Sequence, residues 1–135
     1  MPTRTPNILI VDDSRFLRLA NERALIRAGH QVITAGDGEE GLPLAREYTP
    51  DLIVLDMMLP KLTGTSVLKA LRKDPQTAAI PVMVLTSLPQ SNERKLLITV
   101  RGATSYVEKS GLMLEKESEI FVEQVQKMFS KAAGV

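Results

Sequence analysis

Apolar positions along the chain alternate between two patterns. Short unbroken runs occupy Asn7 to Val11 (NILIV), Leu52 to Leu55 (LIVL) and Pro81 to Leu85, the last ending in the hydroxyl pair Thr86–Ser87. Runs of this length without polar interruption fit strands buried on both faces, as a parallel sheet requires. Gln31 to Thr34 and Thr104 to Val107 are two further short strand candidates. Between them lie stretches of helical period. Leu17, Ala20, Ala24, Leu25 and Ala28 form one stripe, with Arg15, Arg18, Glu22 and Arg27 largely off it and Gly29 as a stop. Thr65 to Lys73 turns Val67, Leu68 and Leu71 inward and ends before Pro75, and Asn92 to Arg101 carries Leu96, Leu97 and Val100. A last helix starts near Glu115 with Phe121, Val125, Met128 and Phe129 as its apolar stripe.

The remaining helix is the least regular. Asp37 and Glu40 have the spacing of a cap and its partner, but Pro43 falls six residues after the cap. Proline inside a helix removes a hydrogen bond and costs about 3 kcal/mol, so the helix is expected either to kink or to begin later, with Pro43 in its first turn. His30, the one histidine, sits in a turn and is read as a surface residue.

Five strands thus alternate with five helices. That order predicts an α/β fold, with a doubly wound parallel sheet, right-handed crossovers and helices on both faces. Composition adds bounds. The 135 residues suit one domain, 44% hydrophobic and 24% charged residues are ordinary for a globular protein, and a net charge of +1 is unlike a nucleic-acid surface. There is no cysteine, hence no disulfide and no thiolate chemistry. No apolar run approaches the roughly 20 residues that span a bilayer, and the start MPTRTP lacks a signal-peptide core. A cytoplasmic protein without membrane or direct nucleic-acid contacts is expected.

Parallel strands end on a common edge, and the polar residues after each run therefore converge. Asp12 and Asp13 follow the first run, Asp56 the third strand, Thr86 the fourth and Lys109 the fifth. Asp56 alone would read as a turn former. Three carboxylates in one place repel, roughly 4 kcal/mol per close pair at an effective dielectric of 20, and call for a cation. Oxygen ligands without His or Cys point to Mg²⁺, which keeps waters and often bridges to phosphate. One carboxylate then remains able to act as a nucleophile, while Lys109 and Thr86 offer charge and a hydroxyl to phosphoryl oxygens.

Together these residues resemble the receiver domain of two-component response regulators. The resemblance also includes Tyr106 three residues before Lys109, the Ala35, Asp37–Gly38, Glu40 pattern, Pro60 and Gly64 after Asp56, and Ile80–Pro81. It covers about Asn7 to Lys131, and implies one receiver domain over residues 1–135 with no output domain. It implies a flavodoxin-like sheet of order 2-1-3-4-5, an order for which a family member is a standard example. It further implies that Asp56 accepts a phosphoryl group from a histidine kinase or phosphotransfer protein. Asp12, Asp13, Asp56 and the Met58 carbonyl would hold Mg²⁺, Thr86 and Lys109 would grip the phosphate, and Thr86 and Tyr106 would switch binding of an unnamed downstream protein.

The chain departs from the family pattern at Ser110, where many members have proline and where a cis bond without it would cost about 3–4 kcal/mol. Pro43 and Gly41 weaken the second helix, and Met58 and Leu88 are apolar where water would approach the phosphate. Two other readings stand beside the switch. One is a receiver-like interaction module that is never phosphorylated. The other is a Mg²⁺-dependent aspartyl-phosphate phosphatase of the haloacid-dehalogenase type, against which Met58 stands where a second Asp is usual and these 135 residues leave no room for a substrate-selecting cap. The expectation is a signalling protein rather than an enzyme.

Overall fold

Residues 7–57, 59, 62–86, 105–108 and 115–132 are described by the computed structural model. Strands β1 (Asn7–Val11), β2 (Gln31–Ala35), β3 (Leu52–Asp56), β4 (Val82–Thr86) and β5 (Ser105–Glu108) pair in parallel as one sheet, in the order β2-β1-β3-β4-β5. Four helices accompany them among the described residues: α1 (Arg15–Arg27), α2 (Gly38–Tyr48), α3 (Gly64–Lys73) and α4 (Glu115–Ala132). The helix expected from Asn92 to Arg101 lies outside the described residues, as do Met58, Pro60, Leu88, Lys109 and Ser110.

Alternation along the strands divides the core. Leu9, Val11, Ile53, Leu55, Val82 and Val84 face Ala45 of α2 and Val67, Leu68 and Leu71 of α3. Their neighbours Ile8, Ile10, Leu52, Val54, Met83 and Leu85 face Leu25 of α1 and Phe121 and Val125 of α4. Both faces of the central strands are therefore covered, and β3 is buried along its whole length. This explains why its sequence shows no alternation of polar and apolar residues.

Of the two forms expected for the second helix, the structure excludes the late start. α2 starts at Gly38 and runs to Tyr48 with Pro43 inside it, not in its first turn. Asp37 caps it, its Oδ1 accepting from the Glu40 amide at 2.8 Å. Gly41 has a packing reason: an added Cβ would lie 2.9 Å from Val11 Cγ2, so the helix approaches β1 closely at this point. Burial of this face outweighs the local cost of the proline.

Helix α1 also buries a residue outside the apolar stripe. Asn21 is 4% exposed beside Ala24 and Leu25, whereas Ala28 forms the exposed C-cap. Gly29 follows with φ of 100° and ends the helix as expected. His30 is not the surface residue its turn position suggested. It is half-buried, its ring stacks on Phe129 of α4, and both ring nitrogens are buried.

Candidate functional site

Strands β1, β3 and β4 each place an expected site residue where the strand ends. β1 ends at Val11, and Asp12 follows with its amide donating to the Ala35 carbonyl at 3.1 Å, so the ends of β1 and β2 remain tied. The chain then turns. Asp12 Oδ1 accepts from the Ser14 amide at 2.9 Å, and Ser14 Oγ caps α1 by accepting from the Leu17 amide. Asp13, between them, is left at the surface. Asp56 closes β3 opposite Leu85, and the next amide, of Met57, still donates to the Leu85 carbonyl at 3.1 Å.

These placements bring Asp12, Asp13 and Asp56 together. One carboxylate oxygen from each lies within 4.8 Å of the others, with Asp12 and Asp56 at 0% and 1% exposure and Asp13 open to solvent. At that separation each ionised pair repels by roughly 3–4 kcal/mol at an effective dielectric of 20. A small divalent cation bound by oxygen offsets this, and an all-carboxylate set with one open side suits Mg²⁺ with part of its water shell. The cluster thus fits a metal of this class.

The other expected site residues are located by backbone. Thr86 ends β4 in register with Glu108, the residue that immediately precedes Lys109 in sequence. Tyr106 lies in β5 opposite Val84. Lys109 and the Met58 carbonyl fall outside the described residues.

Two contributors were not read from sequence. Arg18, placed among the solvated arginines of α1, is half-buried, and its Nη1 donates to the Asp12 carbonyl at 2.7 Å. Gly64 opens α3, and its amide donates to the Met57 carbonyl at 3.2 Å, clasping the segment after Asp56. The sequence pattern places Gly64 after Asp56, and the fold adds this contact.

Residues 8–116 match the response regulator receiver domain. This chain belongs to that family. It is 40% identical over 105 residues to the transcriptional regulatory protein AfsQ1 of Streptomyces coelicolor, covering 77% of this chain and 44% of that protein. It is 38% identical over 102 residues to protein PilH of Pseudomonas aeruginosa, covering 76% and 84% respectively. The chain therefore spans about half the length of several curated relatives, the transcriptional regulators among them. The fold agrees with the chemotaxis response regulator CheY4 of Vibrio cholerae at a TM-score of 0.81 and 30% identity, covering 92% of this receiver and 98% of that chain. No described helix of the receiver is long and apolar enough to cross a membrane.

Proposed function

We propose that residues 7–131 form one receiver domain that works as a phosphorylation-operated switch, with Asp56 as the acceptor. The observation that carries this reading is the convergence of Asp12, Asp13 and Asp56 at the carboxyl edge of the sheet, with Thr86 ending the adjacent strand. A carboxylate oxygen of Asp56 forms a bond to phosphorus as the bond from phosphorus to the donor's histidine nitrogen breaks. The donor is a histidine kinase or a phosphotransfer protein. Mg²⁺, held by Asp12, Asp13, Asp56 and the Met58 carbonyl, would neutralise charge on the phosphoryl oxygens.

Within this reading Asp56 supplies the nucleophile, and Thr86 and Lys109 hold the remaining phosphoryl oxygens. Thr86 also reports the modification to Tyr106, which changes the surface offered to a downstream protein. Burial of Asp12 and Asp56 lowers the effective dielectric around them, so their attraction for a bound cation is screened less than it would be in water. Family membership supports the assignment, since receivers signal by accepting phosphoryl groups rather than by turning over a separate substrate.

The test is incubation with acetyl phosphate and Mg²⁺ followed by intact-mass measurement. One added phosphoryl group is expected in the native chain and none in Asp56→Asn. A native chain that gains no mass, or an Asp56→Asn variant that gains the same mass, would remove Asp56 as acceptor.

A further inference from the structure

Arg18 stands out as a charged side chain folded back onto the backbone of the acidic cluster. Its own position is rigid, because its amide donates to the Ser14 carbonyl at 2.8 Å and starts the α1 ladder. Its guanidinium reaches the Asp12 carbonyl, the oxygen of the peptide that joins Asp12 to Asp13. An added Cβ at Gly36 would lie 3.5 Å from Nη1 and 3.9 Å from Cζ, so the guanidinium rests over the backbone just past β2.

The consequence falls on Asp13. No hydrogen bond or ion pair holds its carboxylate among the described residues, so its place in the cluster depends on its backbone and its rotamer alone. Around it, the Asp12 amide, the Asp12 carbonyl and the Asp12 carboxylate are each bonded, to Ala35, Arg18 and Ser14. Fixing a carbonyl fixes the peptide plane it belongs to. With the Asp12–Asp13 plane held on one side of Asp13 and the Ser14 amide held by Asp12 Oδ1 on the other, the Asp13 backbone is restrained from both sides, and one of its carboxylate oxygens lies within 4.8 Å of those of Asp12 and Asp56.

We propose that Arg18 is a positioning residue for the divalent-metal site, setting the Asp12–Asp13 peptide so that the exposed Asp13 carboxylate joins the two buried ones. This rests on reading the cluster as a Mg²⁺ site. The sign of the effect separates positioning from charge. A guanidinium beside a cation site repels the cation, so by charge alone its removal would tighten Mg²⁺ binding. Positioning predicts the opposite, because losing a residue that orients a metal ligand typically weakens affinity about 10–100-fold.

The experiment titrates Mg²⁺ alone into the full chain and follows amide signals. Arg18→Met is expected to weaken binding about tenfold or more, and Arg18→Lys, which keeps one donor, to recover part of the loss. Gly36→Leu, which displaces the guanidinium without altering it, should weaken binding too, and guards against a folding defect peculiar to Arg18→Met. In an Asp13→Asn background, Arg18→Met should have little further effect, since the carboxylate it positions is gone. In metal-free protein the amide signals of Asp13 and Ser14 should shift while those of β3 and β4 stay. Equal or tighter Mg²⁺ binding in Arg18→Met, or the same fold loss in the Asp13→Asn background, overturns the proposal. If the native chain binds no Mg²⁺, it is the metal reading that fails. Unchanged Asp13 and Ser14 signals in metal-free Arg18→Met then reject the positioning role as well.

Discussion

The imidazole of His30 stacks on the ring of Phe129, with centroids 5.3 Å apart and planes 27° from parallel. This contact joins the turn after α1 to the last turns of α4. Both ring nitrogens are buried without a hydrogen-bond partner among the described residues, and burial pushes the His30 pKa below its ordinary value of 6.5. The folded state therefore resists the proton more than the unfolded chain does. Above pH 6.5 the ring is neutral in both states and the contact contributes fully. As pH falls through that value the unfolded chain takes up a proton first, and stability is lost until the folded pKa is passed. His30→Phe keeps the stack and removes the titration. Its stability advantage over the native chain should grow as pH falls below 6.5. Denaturant midpoints measured at a series of pH values check this, and an advantage that does not vary with pH would refute it.

Much of this architecture was legible because buried parallel strands write themselves as uninterrupted apolar runs. NILIV and LIVL could be placed without knowing their neighbours, and the residues after them then had to share an edge. The misplaced residues depend on contacts far away in sequence. His30 reads as a turn residue until α4 is laid over it. Asn21 and Arg18 carry polar groups that pattern rules send to solvent. The start of the helix around Pro43 could not be decided locally, because the local rule weighs the missing N–H but not the burial of Gly41 and Ala45 against the sheet.

Pro43 accordingly offers a stabilising change. Its ring is exposed, so replacing it loses no core packing. Proline in a helix interior is about 3 kcal/mol worse than alanine. Pro43→Ala should raise the stability of the domain by up to about 3 kcal/mol, reduced by the extra freedom of the unfolded chain. Chemical denaturation measures the gain. A loss would mean that the proline fits a distortion α2 requires.

The acid cluster should trade stability against metal binding. Asp13 is exposed and lies within 4.8 Å of two buried carboxylates. Asp13→Ala should therefore raise the melting temperature of metal-free protein slightly while abolishing most of the rise that Mg²⁺ produces. Thermal melts with and without Mg²⁺ test both halves. A sharp fall in the metal-free melting temperature would show that Asp13 supports the fold rather than straining it.

Switching should extend beyond the pocket. Thr86 and Tyr106 stand on the paired strands β4 and β5, so a change at Thr86 has a short route to the last strand. Beryllofluoride with Mg²⁺, a mimic of the phosphorylated state, should shift amide signals of residues 87 to 110. In Thr86→Ala the shifts should contract towards Asp56. Native shifts confined to the neighbours of Asp56 would describe a phosphate site without a switch.

Gly64 sets how closely α3 approaches the acceptor strand. It is the first residue of α3, after the Thr63 cap, whose Oγ1 accepts from the Ser66 amide at 3.2 Å. Its amide bonds the Met57 carbonyl, and a Cβ in its place would lie 2.5 Å from Met57 Cα and 2.6 Å from the Asp56 carbonyl oxygen. Real contacts do not reach these distances, and the opposing atoms are backbone, so they cannot swing aside as a flexible side chain would. Either α3 withdraws, opening the core around Val67 and Leu68, or the Asp56–Met57 backbone shifts. Overpacking of this kind costs about 1–3 kcal/mol. A shift of the Asp56 backbone would also move its carboxylate relative to Asp12 and Asp13. Gly64→Ala should therefore lose stability and weaken Mg²⁺ binding together, whereas a cavity variant such as Leu68→Ala should lose stability with Mg²⁺ affinity kept. The comparison needs denaturation and Mg²⁺ titration of both variants. If Gly64→Ala is destabilised but binds Mg²⁺ like the native chain, α3 has withdrawn alone, and the glycine serves packing rather than the site.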